Sequence, residues 1–109
     1  MNSNQQEFPK EKIISLYSDD PEIHDLIVEF IGEMPHRIRL ANEAFMRGDR
    51  LRLQFWAHQM KGGAGGYGFM EITNRAADLE TALLKQQSTE EILAALLIVI
   101  DLCERAAAD

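Results

Sequence analysis

One short stretch of this 109-residue sequence combines a histidine, a lysine and a cluster of glycines, which together could carry chemistry. His58 is followed by Lys61 at i+3 and by Gly62 at i+4, and five of the seven glycines fall between Gly62 and Gly68. A neutral imidazole is a competent nucleophile near pH 7, and an ammonium group one turn away can stabilise negative charge on whatever the imidazole carries. Glycine is costly inside a helix, so helix stability does not explain the cluster.

A helical wheel places His58 on the solvent side of its helix. At about 100° per residue, His58 lies about 140° from Leu53, the reference position of an apolar stripe. The other members of that predicted core stripe are Trp56, Ala57, Met60 and Ala64. Leu51 and Phe55 fall on the same side as His58, and an exposed apolar patch of this kind is typical of a docking surface.

The glycines beyond His58 have a mechanical interpretation. Gly62 and Gly65 each remove a side chain from the turns after His58, so we expect another molecule to approach the imidazole closely there. Gly63, Gly65 and Gly68 also spell G-x-G-x-x-G, but the dinucleotide fingerprint needs a preceding strand, and the preceding residues have a helical period. We therefore treat the dinucleotide match as accidental.

Helix start and stop signals divide the chain into four long helices. Asp20-Pro21 begins the first, whose apolar stripe stays in phase past Pro35 to about Arg47 and predicts one bent helix. Gly48-Asp49 ends that helix and caps the second, a link so short that the two helices must pack antiparallel. The third helix carries an apolar stripe, and the fourth follows a Ser88–Glu91 capping box. The stripes of these last two helices consist of Ile72, Ala76, Leu79 and Leu83, and of Ile92, Leu96, Val99, Ile100 and Cys103.

These signals predict an all-α fold, an antiparallel up-down four-helix bundle formed by residues 21–109. Residues 1–20 are predicted to be a lead-in or a short helical extension, because Ile13, Ile14, Leu16 and Tyr17 form a small apolar patch. We expect a monomer, since the apolar stripes are accounted for within one bundle.

Composition excludes several functional classes. Eleven Lys and Arg against eighteen Asp and Glu give a net charge of −7, which argues against a nucleic-acid binder. The longest apolar run, residues 92–100, is far shorter than the roughly 20 residues that span a bilayer. No export signal opens the chain, so we expect a cytoplasmic protein. Residues 37–61 nevertheless hold six basic and two acidic residues. Their net charge is therefore +4, which leaves a net charge of −11 on the rest of the sequence.

Residues 57–62, Ala-His-Gln-Met-Lys-Gly, resemble the core motif of the histidine phosphotransfer (Hpt) domain of multistep phosphorelays. The pattern of that family is His-x-Leu/Met-Lys-Gly, then a glycine a few residues on, here Gly68, then a helix that bears Leu-Glu, here Leu79-Glu80. The resemblance extends from about Pro21 to the C-terminus.

The resemblance implies a phosphorelay intermediate of two-component signalling, a phosphoprotein rather than an enzyme. His58 would accept a phosphoryl group on Nε2 from a receiver-domain aspartate and pass it to another receiver. Lys61 would neutralise phosphoryl charge, Gly62 would keep the surface open, and Gln59 could donate a hydrogen bond to a phosphoryl oxygen. Leu51, Phe55 and Gly65 would contact the receiver. Partners would be response-regulator receivers and hybrid sensor kinases; the receiver supplies Mg²⁺, so no cofactor or metal is expected in this chain.

Several alternatives stay open at this stage. Some relatives attached to chemotaxis kinases place a carboxylate on the other imidazole nitrogen; Glu80 is a candidate, although we assign it a structural or surface role and leave it outside the site. His58 and its apolar flank could instead serve a helical protein-interaction module without phosphotransfer. A metal-binding or hydrolytic bundle is the weakest alternative, because His58 has no ligand partner at i+3 or i+4. A stand-alone protein and a fragment of a hybrid sensor kinase both fit the sequence.

Overall fold

The computed structural model describes residues 11–109, and that part of the chain is helical. Five helices form between residues 24 and 105, and two short strands flank them. In chain order the elements are β1 (Ile13–Ile14), α1 (His24–Gly32), α2 (Met34–Met46), α3 (Arg50–Gly66), α4 (Met70–Leu84), α5 (Thr89–Arg105) and β2 (Ala106–Ala107). Helix α3 packs mainly against α4, α4 packs against α5, and α2 contacts both α3 and α5.

The predicted starts of α3 and α5 are confirmed. Gly48 has a φ of +68°, the left-handed conformation that ends a helix at low cost for glycine. Asp49 then accepts a hydrogen bond from the Arg52 backbone N–H at 3.0 Å, which caps α3. At α5, Ser88 Oγ accepts from the Glu91 backbone N–H at 3.1 Å, and the Glu91 carboxylate accepts from the Ser88 backbone N–H at 3.1 Å. This is the complete capping box that the sequence indicated.

The prediction of one bent helix over residues 21–47 is wrong, because the structure divides it into α1 and α2 at Glu33. Residues 21–23 form turns, so α1 begins at His24 and not at Pro21. Pro35 lies in the first turn of α2. Backbone N–H groups in the first turn have no acceptor within the helix, so the N–H that proline lacks costs no helical hydrogen bond. Glu33 keeps helix-like angles, φ −84° and ψ −9°, and this explains why the apolar stripe stays in phase across the break.

The prediction of a short helix in the lead-in is also wrong for the residues that the structure describes. Ile13 and Ile14 form a strand that pairs in parallel with Ala106 and Ala107. Leu16 N–H then donates to the Gly68 carbonyl at 3.0 Å. Strand pairing with the C-terminus is a long-range interaction that local periodicity does not reveal. Residues 1–10 of the predicted lead-in lie outside the described part of the chain.

The core contains the predicted stripes of α3, α4 and α5. Every residue of those three stripes is buried, with exposed fractions of 8% or less. Trp56 donates its indole N–H to the Arg37 carbonyl at 2.9 Å, which ties α3 to α2. The apolar stripe of the first long predicted helix is buried less completely. Ile27, Phe30, Met34 and Ala41 are buried, Ile23, Ile31, Ile38 and Phe45 are partly buried, and Leu26 is about half exposed on α1. None of the helices between residues 11 and 109 is long and apolar enough to cross a membrane.

Candidate functional site

His58 projects from the face of α3 that is turned away from the core. Its side chain is 64% exposed, whereas Ala57 and Met60, on the core face of the same helix, are buried. Leu51 and Phe55, about two turns and about one turn before it, are 77% and 62% exposed. The structure therefore places the imidazole and the two apolar side chains on one open surface, as the wheel predicted. The surface forms a shallow depression lined by Asp49, Leu51, Arg52, Gln54, Phe55, His58 and Glu80.

Glu80 is the residue that sequence reasoning left out of the site. It lies on α4, and its Oε2 is 2.9 Å from His58 Nδ1 while its Oε1 is 2.7 Å from Lys61 Nζ. The Glu80 side chain is only 14% exposed, so the carboxylate lies beneath the two α3 side chains that it joins. The structural or surface role assigned to Glu80 therefore misses its contact with both functional side chains.

A signal in the sequence could have found Glu80. His58 and Glu80 each lie eleven residues from Phe69, which is in the short connection between α3 and α4. In a helical hairpin with a short turn, residues at equal distances from the turn lie opposite one another. Gly65 and Thr73, each four residues from Phe69, are also in contact and follow the same rule.

The hydrogen bonds define the chemistry of the imidazole. The Lys61 hydrogen bond is the largest influence that lowers the pKa of Glu80 below its ordinary value of 4.5; His58 lowers it further, and burial opposes both. Glu80 is therefore a carboxylate at neutral pH and can only accept hydrogen bonds. The short contact then requires Nδ1 of His58 to carry the proton, which leaves the lone pair of the neutral ring on Nε2.

The two glycines assigned to an open surface differ in their surroundings. Gly62 is exposed, and a Cβ built on it would have nothing within 4 Å. Gly65 is closed on one side, because a Cβ there would lie 2.8 Å from Thr73 Oγ1 on α4. The geometry thus agrees with an open surface at Gly62, whereas at Gly65 it points to close packing of α3 on α4.

Gln59 is exposed beside His58 but on a different face of α3. One residue along a helix corresponds to a rotation of about 100°, so the amide and the imidazole diverge from the helix axis. Within residues 11–109, no group of three or more His, Cys, Asp and Glu side chains is arranged to hold a metal ion.

A family model for the Hpt domain matches residues 25–109, from the first turn of α1 to the end of the chain. The chain belongs to the Hpt domain family. Hpt domains carry histidine phosphotransfer in two-component phosphorelays, where they interact with receiver domains and act as phosphocarriers rather than enzymes in themselves. No match was found among the curated proteins or the solved structures that were compared. Membership of the Hpt family agrees with the helical fold and with the resemblance found in the motif.

Proposed function

We propose that His58 is the phosphorylated residue of this Hpt domain, and that it accepts a phosphoryl group from one receiver aspartate and passes it to another. The observation that carries the proposal is the Glu80 contact, which holds the proton on Nδ1 of an exposed imidazole. The Nε2 lone pair attacks the phosphorus of the aspartyl-phosphate, an N–P bond forms, and the P–O bond to the aspartate breaks. The aspartate leaves as a carboxylate with the bonding electron pair, and Nε2 has no proton to lose.

Glu80 and Lys61 stabilise the charges that this transfer creates. When Nε2 gains the phosphoryl group the ring becomes cationic, and the Glu80 carboxylate, 2.9 Å from Nδ1, is placed to balance that charge. Lys61 is held 2.7 Å from Glu80 before transfer. Its flexible side chain and its position one turn from His58 allow its ammonium to turn towards the phosphoryl oxygens. We assign Gln59 a weaker role as a hydrogen-bond donor at the edge of the phosphoryl group.

The surface around His58 supports docking of a receiver domain. Leu51 and Phe55 supply exposed apolar area, and the open backbone at Gly62 allows a receiver surface to approach. The local charge of +4 over residues 37–61 has the right sign to meet an acidic receiver pocket. We propose that Mg²⁺ comes with that acidic pocket of the receiver, so that Hpt residues need only present the nucleophile.

We further propose that α2 to α5 form the antiparallel up-down four-helix bundle, with α1 extending α2 towards the N-terminus. Three- and four-residue connections between successive helices support that arrangement. A monomeric, cytoplasmic module that serves receivers and hybrid sensor kinases is the setting we propose for it.

The experiment uses a phosphorylated receiver domain as the donor of radiolabel to the chain. We expect label on the wild type that survives alkali and is lost in acid, and no label on His58→Gln. His36→Gln is the matched control, because His36 is also an exposed helical histidine and its Nδ1 contacts Arg39, at 3.1 Å, away from the site. If the wild type takes no label from any receiver tried, the protein-interaction module without phosphotransfer becomes the better description.

A further inference from the structure

Helices α3 and α4 make an unusually close contact at Gly65 and Thr73. Thr73 Oγ1 donates a hydrogen bond to the Lys61 carbonyl at 2.7 Å. A Cβ at residue 65 would lie 2.8 Å from the same oxygen, closer than real Cβ contacts. The hydroxyl therefore reaches the α3 backbone only because residue 65 is glycine. We call this contact the Thr73–Gly65 staple.

The staple lies on the same side of the helix pair as the candidate site. Glu80 follows Thr73 by seven residues, and Gly65 follows His58 by seven. Seven residues are about two helical turns and about 10 Å along the axis, so both pairs lie on the same faces of their helices. A change in the spacing or rotation of α4 at the staple is therefore transmitted to Glu80.

The backbone carbonyl and the side-chain ammonium of Lys61 both contact residues of α4. Its carbonyl accepts the Thr73 hydroxyl, and its ammonium donates to Glu80 Oε1 at 2.7 Å. Glu80 Oε2 in turn lies 2.9 Å from His58 Nδ1. Hydrogen bonds of this kind have donor–acceptor distances of about 2.7–3.2 Å, so a displacement of more than a few tenths of an ångström takes these contacts out of that range.

We propose that Thr73 is a positioning residue for His58, and that the Thr73–Gly65 staple sets the α3–α4 register that keeps Glu80 on the imidazole and on Lys61. The inference deepens the proposed phosphotransfer function and rests on it for its biological meaning. Thr73 acts through Lys61 and Glu80 and need not touch the phosphoryl group.

The test compares Thr73→Val, which keeps the volume and removes the hydroxyl, with Thr73→Ser, which keeps the hydroxyl. Gly65→Ala adds a methyl group on α3 that would collide with Thr73 Oγ1 on α4, and so pushes the two helices apart. Ile100→Val, a buried substitution on α5, is the control for a general loss of packing. The ¹⁵N chemical shifts of the His58 ring report which nitrogen carries the proton, and they do not depend on any phosphotransfer partner.

For Thr73→Val and Gly65→Ala we expect the Nδ1-protonated fraction of His58 to fall. Transfer should slow about threefold to tenfold at saturating receiver, less than the roughly 10²-fold that a 1 Å misplacement can cost. Thr73→Ser should restore both readouts, and Ile100→Val should change neither. For Thr73→Val the half-saturating receiver concentration should stay unchanged, because the partly buried Thr73 side chain donates to the α3 backbone and is not one of the residues assigned to receiver docking.

Wild-type ring shifts in both Thr73→Val and Gly65→Ala would overturn the positioning role, whether or not transfer is observed. Altered ring shifts together with no transfer by the wild type would support the staple and count against the proposed function alone. If Gly65→Ala does not fold, the comparison of Thr73→Val with Thr73→Ser decides the question.

Discussion

Replacing Glu80 by Gln removes the charge from the side chain that joins His58 to Lys61. The carboxylate accepts from Nδ1 with one oxygen and from Nζ with the other, at 2.9 and 2.7 Å. Glutamine has a single acceptor oxygen and a donor NH₂ in place of the second, so only one of the two hydrogen bonds can survive. The His58 ring then loses either its fixed tautomer or the negative charge that balances it during transfer.

The structure limits the size of this effect. A hydrogen bond to a charged group contributes about 1.5–3 kcal/mol when it is shielded from solvent. The His58 and Lys61 side chains are 64% and 37% exposed, so screening by water reduces the loss to about 1 kcal/mol. Since about 1.4 kcal/mol corresponds to a tenfold change in rate, we expect transfer to His58 to slow about fivefold.

The assay measures the rate of label uptake from a phosphorylated receiver at pH 7 and saturating receiver concentration. Asp78→Asn is the matched control, because it removes the same charge from the same helix while its partner is Arg75 at 3.1 Å and not the site. Glu80→Gln should be about fivefold slower than the wild type, and Asp78→Asn should be unchanged. Equal rates in the two variants would refute the reasoning, since only the net charge would then matter.

Four further predictions follow from particular contacts. Gly62→Phe should leave the helices folded, because the position is open, but it should slow uptake of label sharply; unaltered kinetics would contradict an open docking surface. Gly68→Ala should lower the free energy of unfolding by about 1–3 kcal/mol, since its φ is +87°, whereas Gly66→Ala, in open space, should not lower it. The pKa of Glu80 is lower in the folded protein than its ordinary value of 4.5, so the ionised carboxylate stabilises the fold at pH values above 4.5. This stabilisation is lost as the pH falls through the folded-state pKa, so acid titration should destabilise the wild type more than Glu80→Gln. Burial raises the pKa of the Cys103 thiol to about 12, so thiol reagents at pH 8 should label it only in denaturant; rapid labelling of the native protein would argue against the buried position.

Much of α3 and the start of α5 could be predicted from local sequence. The caps at Asp49 and Ser88 satisfy backbone groups within the next turn, and the side chains that do so are only three residues away along the chain. The exposure of His58 follows from the 3.6-residue period of the apolar stripe around it, because burial of one face of a helix leaves the other in solvent. The His58–Gly62 core of the Hpt-type motif lies wholly within that one helix.

Interactions across longer separations could not be predicted in the same way. The Ile13–Ile14 strand depends on Ala106–Ala107, more than ninety residues later, and its apolar residues also suit a short helix.

The division of the first long helix at Glu33 is a local feature that the sequence left open. It depends on how Pro35 is accommodated, because proline can kink a helix or begin a new one.

The site shows the same boundary between sequence and tertiary structure. The sequence by itself determined the nucleophile candidate, its exposure and its lysine and glycine neighbours, because all of them lie on one helix with a known period. Equal distances from the α3–α4 turn place Glu80 opposite His58 and Thr73 opposite Gly65. Only the tertiary structure decided that the Glu80 carboxylate joins His58 to Lys61 and that Gly65 packs against Thr73 rather than opening the surface. These contacts depend on the register between α3 and α4, which is set by the packing of the two helices, and a shift of a few tenths of an ångström is enough to make or lose a hydrogen bond.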